Sequence, residues 1–497
     1  MKKNLDDHTV PVNRKDGTSN ITVGAPVYKD NAELAIGAYY GPRRPGGNYY
    51  NGILDTSGTR VTDYRTDKEF EVFADAGLNF VISENDAVYG YHYTATGAVK
   101  VQNFKESDLY QYMKTAARHG VEVIAFSHEM TRMLRGSEAF SAADQQELNS
   151  MVKNLRTMDN FKGILMADEP HYSYLENYTA VSKYLREIAP DAMLFTSCLP
   201  FYSNEVGDMI GGDETTKMED RYINYISSYG RIFGSINYDF YPFLQEDSFG
   251  NKQYTLMRKE WFQNLEMAAT VAHGNYNASI TIQSMAHKPV NWDSKETSTH
   301  YREVTRADIS FQMYSALAYG MKTISYYTYW DHFSQGDNEK YYSAMVMYPD
   351  TEGGEPVRTD VYYAVQAVNN EVKKFDHVLM DYTWQGTIGI AKSDSDGCLS
   401  RMSSYSSSRI SSATATNDAI IGCLKDSNGY DGFMLVNATD PSDNKTSSVT
   451  LTFHHADRAV VYVNGVATDT ALTNGSYTVS LSPGQGVFVI PYIQAEK

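Results

Sequence analysis

A (β/α)8 TIM barrel followed by an all-β sandwich is the fold class this sequence predicts, and three observations predict it. Short apolar runs recur eight times between about residues 33 and 380. Amphipathic helical patterns separate them. After about Asp381 that texture stops, and short strand-like runs take over.

The eight runs are ELAIGAYYGP, AGLNFVISEN, GVEVIAFSHEM, FKGILMADEP, DAMLFTSCLP, GRIFGSINYDFYPF, YNASITIQSM and KTISYYTYWDH. They are β-branched or aromatic and lack strict alternation, the pattern of strands buried on both faces of a parallel sheet. Between them, segments such as KESDLYQYMKTAARHG, SYLENYTAVSKYLREIAP and RADISFQMYSALAYGMK place apolar residues three and four apart. Several of these end at Gly or Pro, the expected helix stops. A helix follows each strand, with a weaker pattern, KMEDRYINYISSYG, after the fifth. Eight such units favour a closed barrel, enlarged by loop insertions beyond the typical ~250 residues. An open doubly wound sheet is the runner-up, but no Gly-rich phosphate loop follows the first strand. The Ser/Thr-rich stretch SSYSSSRISSATATND then leads into GFMLVNATD, SSVTLTFHH, RAVVYVNG, GSYTVSLSPG and GVFVIPY. Short strands at about 8–12-residue spacing with Gly, Asn and Pro turns read as a sandwich. The expected organisation is a flexible polar arm over residues 1–30, a barrel over 31–381 and a sandwich over 382–497.

Composition narrows the partners. The net charge of -18 argues against nucleic acid and anionic membrane surfaces. No run of about 18 uncharged apolar residues exists to span a bilayer. No signal peptide is visible, though a secreted or cell-surface bacterial enzyme separated from its signal would look the same. The 40 Tyr residues suit sugar rings, offering a flat apolar face and a hydroxyl, but they also fill cores. Cys198, Cys398 and Cys423 match no metal spacing; Cys398 and Cys423 could pair. No cofactor is indicated, and the adjacent pairs His128-Glu129 and Asp331-His332 are not the i, i+4 pairs of a hydrolytic zinc site. The absence of G-x-S-x-G argues against an α/β-hydrolase.

In such a barrel the chemistry gathers at the C-terminal strand ends. Strand one offers Tyr39, Tyr40 and Arg43; strand two Glu84, Asn85 and Asp86; strand three His128 and Glu129. Strand four offers Asp168, Glu169 and His171; strand five Ser197 and Cys198; strand six Asn237, Tyr238, Asp239 and Tyr241. Strand seven offers Gln283 and Ser284, and strand eight Tyr327, Tyr329, Trp330, Asp331 and His332. Carboxylates among aromatics are what hydrolysis of an O-glycosidic bond requires, so the expected partner is a carbohydrate. Glu169 is the candidate acid: an apolar strand end with an anionic neighbour raises a carboxyl pKa toward that role. Asp-Glu-Pro before a helix is also good capping chemistry, and Asp168 fits either role. Asp239 is the first candidate for the second carboxylate, with Asp331, Glu84 and Glu129 behind it. Asp168, Tyr39, His128, Glu129, Tyr238, Tyr241, Gln283, Trp330 and Asp331 are the candidate substrate contacts.

The segments ADEP, YDFYPF and SALAYGMKTISYYTYWD resemble the clan A glycoside hydrolases, and most nearly the family 42-type β-galactosidases and related bacterial glycosidases. The C-terminal region is similar to the accessory sandwich of those enzymes. The resemblance implies a retaining glycosidase with its acid/base on strand four, where Glu169 stands, and its nucleophile on strand seven. Two departures bear on it. Asp168 occupies the place of an Asn that holds a sugar hydroxyl. In ITIQSMAHKPVNW the position matching the nucleophile is Gln283, and an amide cannot serve. The nucleophile has then moved, with Asp239 favoured; or the enzyme inverts; or Asp168-Glu169 act as in substrate-assisted hexosaminidases; or Gln283 is an inactivating change, natural or engineered. A non-catalytic carbohydrate-binding barrel is the alternative of another class.

Overall fold

In a computed structural model of the chain, the described residues are 24–46, 49–50, 53–54, 61–247, 253–286, 298–330, 344–349 and 352–494, apart from 27, 29–31, 202–208 and 214. Eight parallel strands form one sheet. They are β1 (Ala35–Tyr39), β2 (Phe80–Ile82), β3 (Glu122–Ala125), β4 (Phe161–Asp168), β5 (Met193–Ser197), β6 (Ser235–Phe240), β7 (Asn277–Gln283) and β8 (Thr323–Tyr327). Their order is β6-β7-β8-β1-β2-β3-β4-β5. The sheet closes at β5 and β6, where the Cys198 N–H donates to the Asn237 carbonyl at 2.8 Å and the Asp239 N–H to the Cys198 carbonyl at 3.3 Å. The barrel of the expected fold class is therefore present.

Helices α1 (Asp67–Asp75), α2 (Asp108–Arg118), α3 (His128–Arg135), α4 (Ala142–Leu155), α5 (Leu175–Ile188), α6 (Met218–Phe233), α7 (Trp261–Ala272), α8 (Arg306–Ala318) and α9 (Asp360–Val372) cover it. Their starts follow the sequence chemistry. Thr305 and Asp308 form a reciprocal capping box on α8, as Ser141 and Asp144 do on α4, each satisfying orphan backbone donors. One helix departs from expectation: α3 begins at His128 itself, so His128 and Glu129 open a helix instead of ending a strand.

The C-terminal strands are β9 (Tyr382–Ile390), β10 (Ile410–Ala415), β11 (Ala419–Asp426), β12 (Asp431–Asn437), β13 (Ser447–Phe453), β14 (Arg458–Val463), β15 (Val466–Ala471), β16 (Ser476–Leu481) and β17 (Gly486–Tyr492). They make a six-stranded sheet, β9-β11-β12-β17-β14-β15, and a three-stranded one, β10-β13-β16, both antiparallel. Successive residues of the larger sheet serve two cores, because a strand sends alternate side chains to opposite faces. Ile421, Phe433, Leu435, Val487 and Val489 meet the smaller sheet. Ile420, Leu424, Met434, Val436, Phe488 and Ile490 join the core of the barrel. Gly422 marks the closest approach, since a Cβ there would sit 2.1 Å from the Ala318 carbonyl oxygen of α8. Arg302 ties the two regions at another point, donating to Asp308 at 2.5 Å and Asp440 at 3.1 Å.

The three cysteines are buried and free, so Cys398 and Cys423 do not pair. Residues 1–23 of the expected arm lie outside the described residues. Behind them, Gly24 donates to the Ile493 carbonyl at 2.7 Å and the Tyr28 hydroxyl to Asp426 at 3.0 Å, which fastens this part of the arm to the sandwich. Among the described residues no helix is long and apolar enough to cross a membrane.

Candidate active site

The chemistry of the barrel mouth starts from strand register. Asp168 lies opposite Ser197 across β4 and β5, and the Glu169 N–H donates to the Ser197 carbonyl at 2.7 Å. The Ser197 hydroxyl donates to Asp239 Oδ1 at 3.3 Å. Three neighbouring strand ends thus present Asp168, Glu169 and Asp239 on one arc. Glu169 has φ of 46°, in the left-handed region that a non-glycine residue adopts at a cost of roughly 1–3 kcal/mol. That twist parts Glu169 from the pleat of β4, so two adjacent acids are aimed differently.

Among the described residues the cluster is short of counter-charge. Glu84, after β2, adds a fourth carboxyl that feels the Asp168 charge, and Arg135 is the cation that faces it. Arg135 donates to the Asp168 backbone carbonyl at 2.6 Å. Burial dominates the titration of every member. It pushes the Glu169 carboxyl up to about 7, with the Asp168 charge adding to the rise and Arg135 opposing it. It pushes Glu84 up to about 8, with Asp168 again adding. Asp239 rises well above the usual carboxylate range, through burial and then the charges of Glu169 and Asp168. Asp168 rises through burial too, held back by Arg135 and the Tyr39 hydroxyl. Asp168 and Glu169 nevertheless remain accessible to water. The two acids at the end of β4 are thus crowded by protein yet reachable by solvent.

Tyrosines line the mouth. The Tyr39 hydroxyl donates to Asp168 Oδ1 at 3.4 Å, and its ring meets Phe195, Tyr40 and Tyr327 edge-on. Tyr241 stacks on Tyr327 with centroids 5.3 Å apart and meets Tyr301 edge-on at 5.5 Å. Tyr301 comes from a small antiparallel sheet of Phe243–Asp247, Gln253–Met257 and Ser298–Tyr301 inserted after β6 and β7.

Other candidates sit elsewhere. Tyr238 neighbours Asp239 on β6, so the pleat sends it to the opposite side; it is fully buried beside Tyr222 and Tyr319 of the helix layer. Trp330 is 2% exposed, and its N–H donates to Asp86 Oδ1 at 3.1 Å, so it offers no open stacking face. Glu129, in the first turn of α3, pairs with Lys100 at 2.6 Å and accepts from the Ser127 hydroxyl at 3.1 Å. Burial, the largest single influence, pushes Glu129 up, but the Lys100 bond and charge, its own backbone N–H and the Ser127 hydroxyl together outweigh it and the net shift is downward. His128 packs edge-on against Tyr91 and Phe126, and burial lowers its pKa. Asp331 lies outside the described residues.

Gln283 is the largest correction. It is fully buried and its amide is used completely. Its Nε2 donates to the Phe243 carbonyl at 3.2 Å and the Arg302 carbonyl at 2.9 Å, while its Oε1 accepts from the Phe243 N–H at 3.0 Å. This residue pins both insertions to β7 and is closed to substrate. A carboxylate could not replace it, because two of the three bonds need a donor.

Sequence reasoning missed Arg135, which stands nearly two helical turns beyond His128 and Glu129, the residues read as the end of strand three. Recognising HEMTRMLR as a helix, with Met130, Met133 and Leu134 turned inward, would have carried Arg135 back toward the mouth. Among the described residues no group of three or more His, Cys, Asp or Glu is arranged to hold a metal ion.

A closed barrel with its acids at the C-terminal strand ends defines the class of a TIM-barrel protein with a built mouth. No family model matches the chain, and no curated protein does. Solved structures it is similar to include glycoside hydrolases. One described simply as a glycoside hydrolase aligns over 100% of both chains at 10% identity, with a TM-score of 0.49. A family 5 glycoside hydrolase from Bacteroides vulgatus aligns over 100% of this chain and 96% of its own, at 11% identity and a TM-score of 0.47. A family 39 glycoside hydrolase from Bacteroides cellulosilyticus aligns over 95% and 84%, at 12% identity and a TM-score of 0.45.

Proposed function

We propose that the protein is a glycoside hydrolase in which Glu169 is the general acid and Asp239 the second carboxylate. The observation that carries this reading is Glu169 itself, water-accessible yet with its carboxyl pushed up to about 7, at the end of β4 beside Asp239. A glycosidic oxygen leaves readily only when protonated, and a carboxyl near neutrality delivers that proton. Asp239, supported by Ser197, feels the Glu169 charge from a neighbouring strand end of the mouth. Tyr327, partly exposed, supplies ring surface and a hydroxyl for a sugar, with the buried Tyr39 and Tyr241 rings packed against it. The narrower likeness to family 42-type β-galactosidases rests on the order and spacing of the ADEP, YDFYPF and SALAYGMKTISYYTYWD segments and on the C-terminal β-region.

A second reading gives Asp168 the task of orienting a substrate acetamido group that attacks its own sugar carbon, with Glu169 again the acid. The Tyr39–Asp168 bond favours it, because it holds Asp168 ready to accept from a substrate N–H. Paired variants test the choice on nitrophenyl glycosides. Asp239→Asn is expected to lower kcat by about 10²-fold or more. Glu129→Gln, outside the cluster, is expected to stay within a few-fold of the parent. Full activity in Asp239→Asn, with loss in Asp168→Asn confined to N-acetylated substrates, would select the second reading.

The pH profile is a further test. Glu169 must be protonated to act, so kcat/KM is expected to hold below about 7 and fall above it. Asp168 is an anionic neighbour that raises Glu169, so Asp168→Asn should move that alkaline limb to lower pH. The limb belongs to the coupled cluster as a whole, and its direction of movement is the informative quantity. A limb that stays in place or moves upward assigns the titration to another group.

A further inference from the structure

A cavity opens at the end of the barrel opposite the carboxyl cluster. Gly234 immediately precedes β6, Asn277 begins β7, Lys322 immediately precedes β8, and all three line it together with Thr383 and Trp384 of β9. Its volume is about 360 Å³, within the ~300–1,000 Å³ range of small-ligand sites. It lies at the N-terminal strand ends, away from the carboxyl cluster, on the seam between the barrel and the six-stranded sheet.

Its lining has the character of a sugar platform. Trp384 is half-buried, and its N–H is taken by the Thr387 hydroxyl at 2.9 Å, so the indole presents ring surface and not a donor. That ring is braced by Tyr319, stacked at 6.1 Å, and by His273, edge-on at 6.2 Å. Around it stand the exposed side chains of Asn275, Asn277 and Thr383. No carboxylate is among the lining residues. The Lys322 ammonium turns to the Leu379 carbonyl, and burial lowers its pKa to about 8. The polar groups are thus mostly neutral amides and hydroxyls beside a fixed aromatic face.

We propose that this seam groove is a non-catalytic binding site for a neutral oligosaccharide, built jointly by the base of the barrel and β9. It is independent of the chemistry at the mouth. A stiff ring offers stacking to a pyranose face at little entropic cost, and the amides and Thr383 meet its hydroxyls. An acidic lining would favour cations, and a strongly basic one would favour anions.

Hydrogen exchange on the full chain carrying Glu169→Gln, so that substrate is not consumed, separates the two sites. The probes are cellohexaose, xylohexaose and β-1,4-galactohexaose. At least one is expected to slow exchange across 272–278 and 382–384. Trp384→Ala should weaken that protection about tenfold. Asn277→Ala, which alters only an exposed side chain, should weaken it while leaving the unfolding transition in place. Neither variant should change protection at 166–170. The proposal is overturned if no probe protects the groove segments, if protection survives both variants, or if inorganic phosphate displaces the oligosaccharide. Protection in the groove without protection at 166–170 keeps this site and removes the glycosidase reading; the converse removes this site alone.

Discussion

Glu169→Gln is expected to lower kcat on unactivated glycosides by about 10²–10⁴-fold, the usual worth of a positioned general acid, with the unfolding transition unmoved. Glutamine has nearly the same shape, and the Glu169 side chain is water-accessible, so the core does not register the change. The backbone at 169 already lies at φ 46°, which both residue types bear alike. The loss should depend on the leaving group. A dinitrophenolate leaves without protonation, so such a substrate should recover much of the parent rate while an alkyl glycoside does not. Steady-state rates over a leaving-group series decide it. Equal losses across the series would give Glu169 a role other than acid, and parent turnover throughout would remove it from the chemistry.

Gln283→Glu should fail in the opposite manner, damaging the fold without creating a nucleophile. Restoring the residue that the family resemblance implies looks like a repair. In this structure it places a carboxylate against the Phe243 and Arg302 carbonyl oxygens, which now receive donors at 3.2 and 2.9 Å. Two bonds are lost and a buried charge is left unpaired, a change worth about 3–5 kcal/mol. Urea denaturation measures it directly. Either the carboxyl stays neutral and the midpoint falls moderately, or it ionises and the insertions on β6 and β7 come loose. Raised activity at parent stability would show that position 283 reaches substrate after all.

The barrel was legible because its strands are buried on both faces, and continuous apolar runs such as GILMAD write that burial into the chain. The strand ends were legible as well: Asp168, Glu169 and Asp239, read there in the sequence, do stand at the C-terminal ends of β4 and β6. What escaped was direction. A run of aromatic and acidic residues such as NYDF does not say which member faces inward, so Tyr238 and Asp239 looked equally suited to the mouth. Trp330 and Gln283 were misjudged for a related reason: a polar or aromatic residue at a strand end serves the scaffold as readily as a substrate. Asp86 and two backbone carbonyls, far apart in sequence, take up their hydrogen bonds. Arg135 was hidden because α3 is short and starts at once after β3, without the spacing that announces a longer helix.

The two-faced sheet of β9, β11, β12, β17, β14 and β15 has a consequence for how this chain could be taken apart. Ile420, Met434, Val436 and Phe488 face the barrel and Ile421, Phe433, Leu435 and Val489 face the other way, one strand serving both. Cutting near Asp381 would strip an apolar wall from α8 and leave the excised half with one greasy side in water. The C-terminal region is therefore not a detachable module, because half of its larger sheet's apolar surface belongs to the core of the barrel.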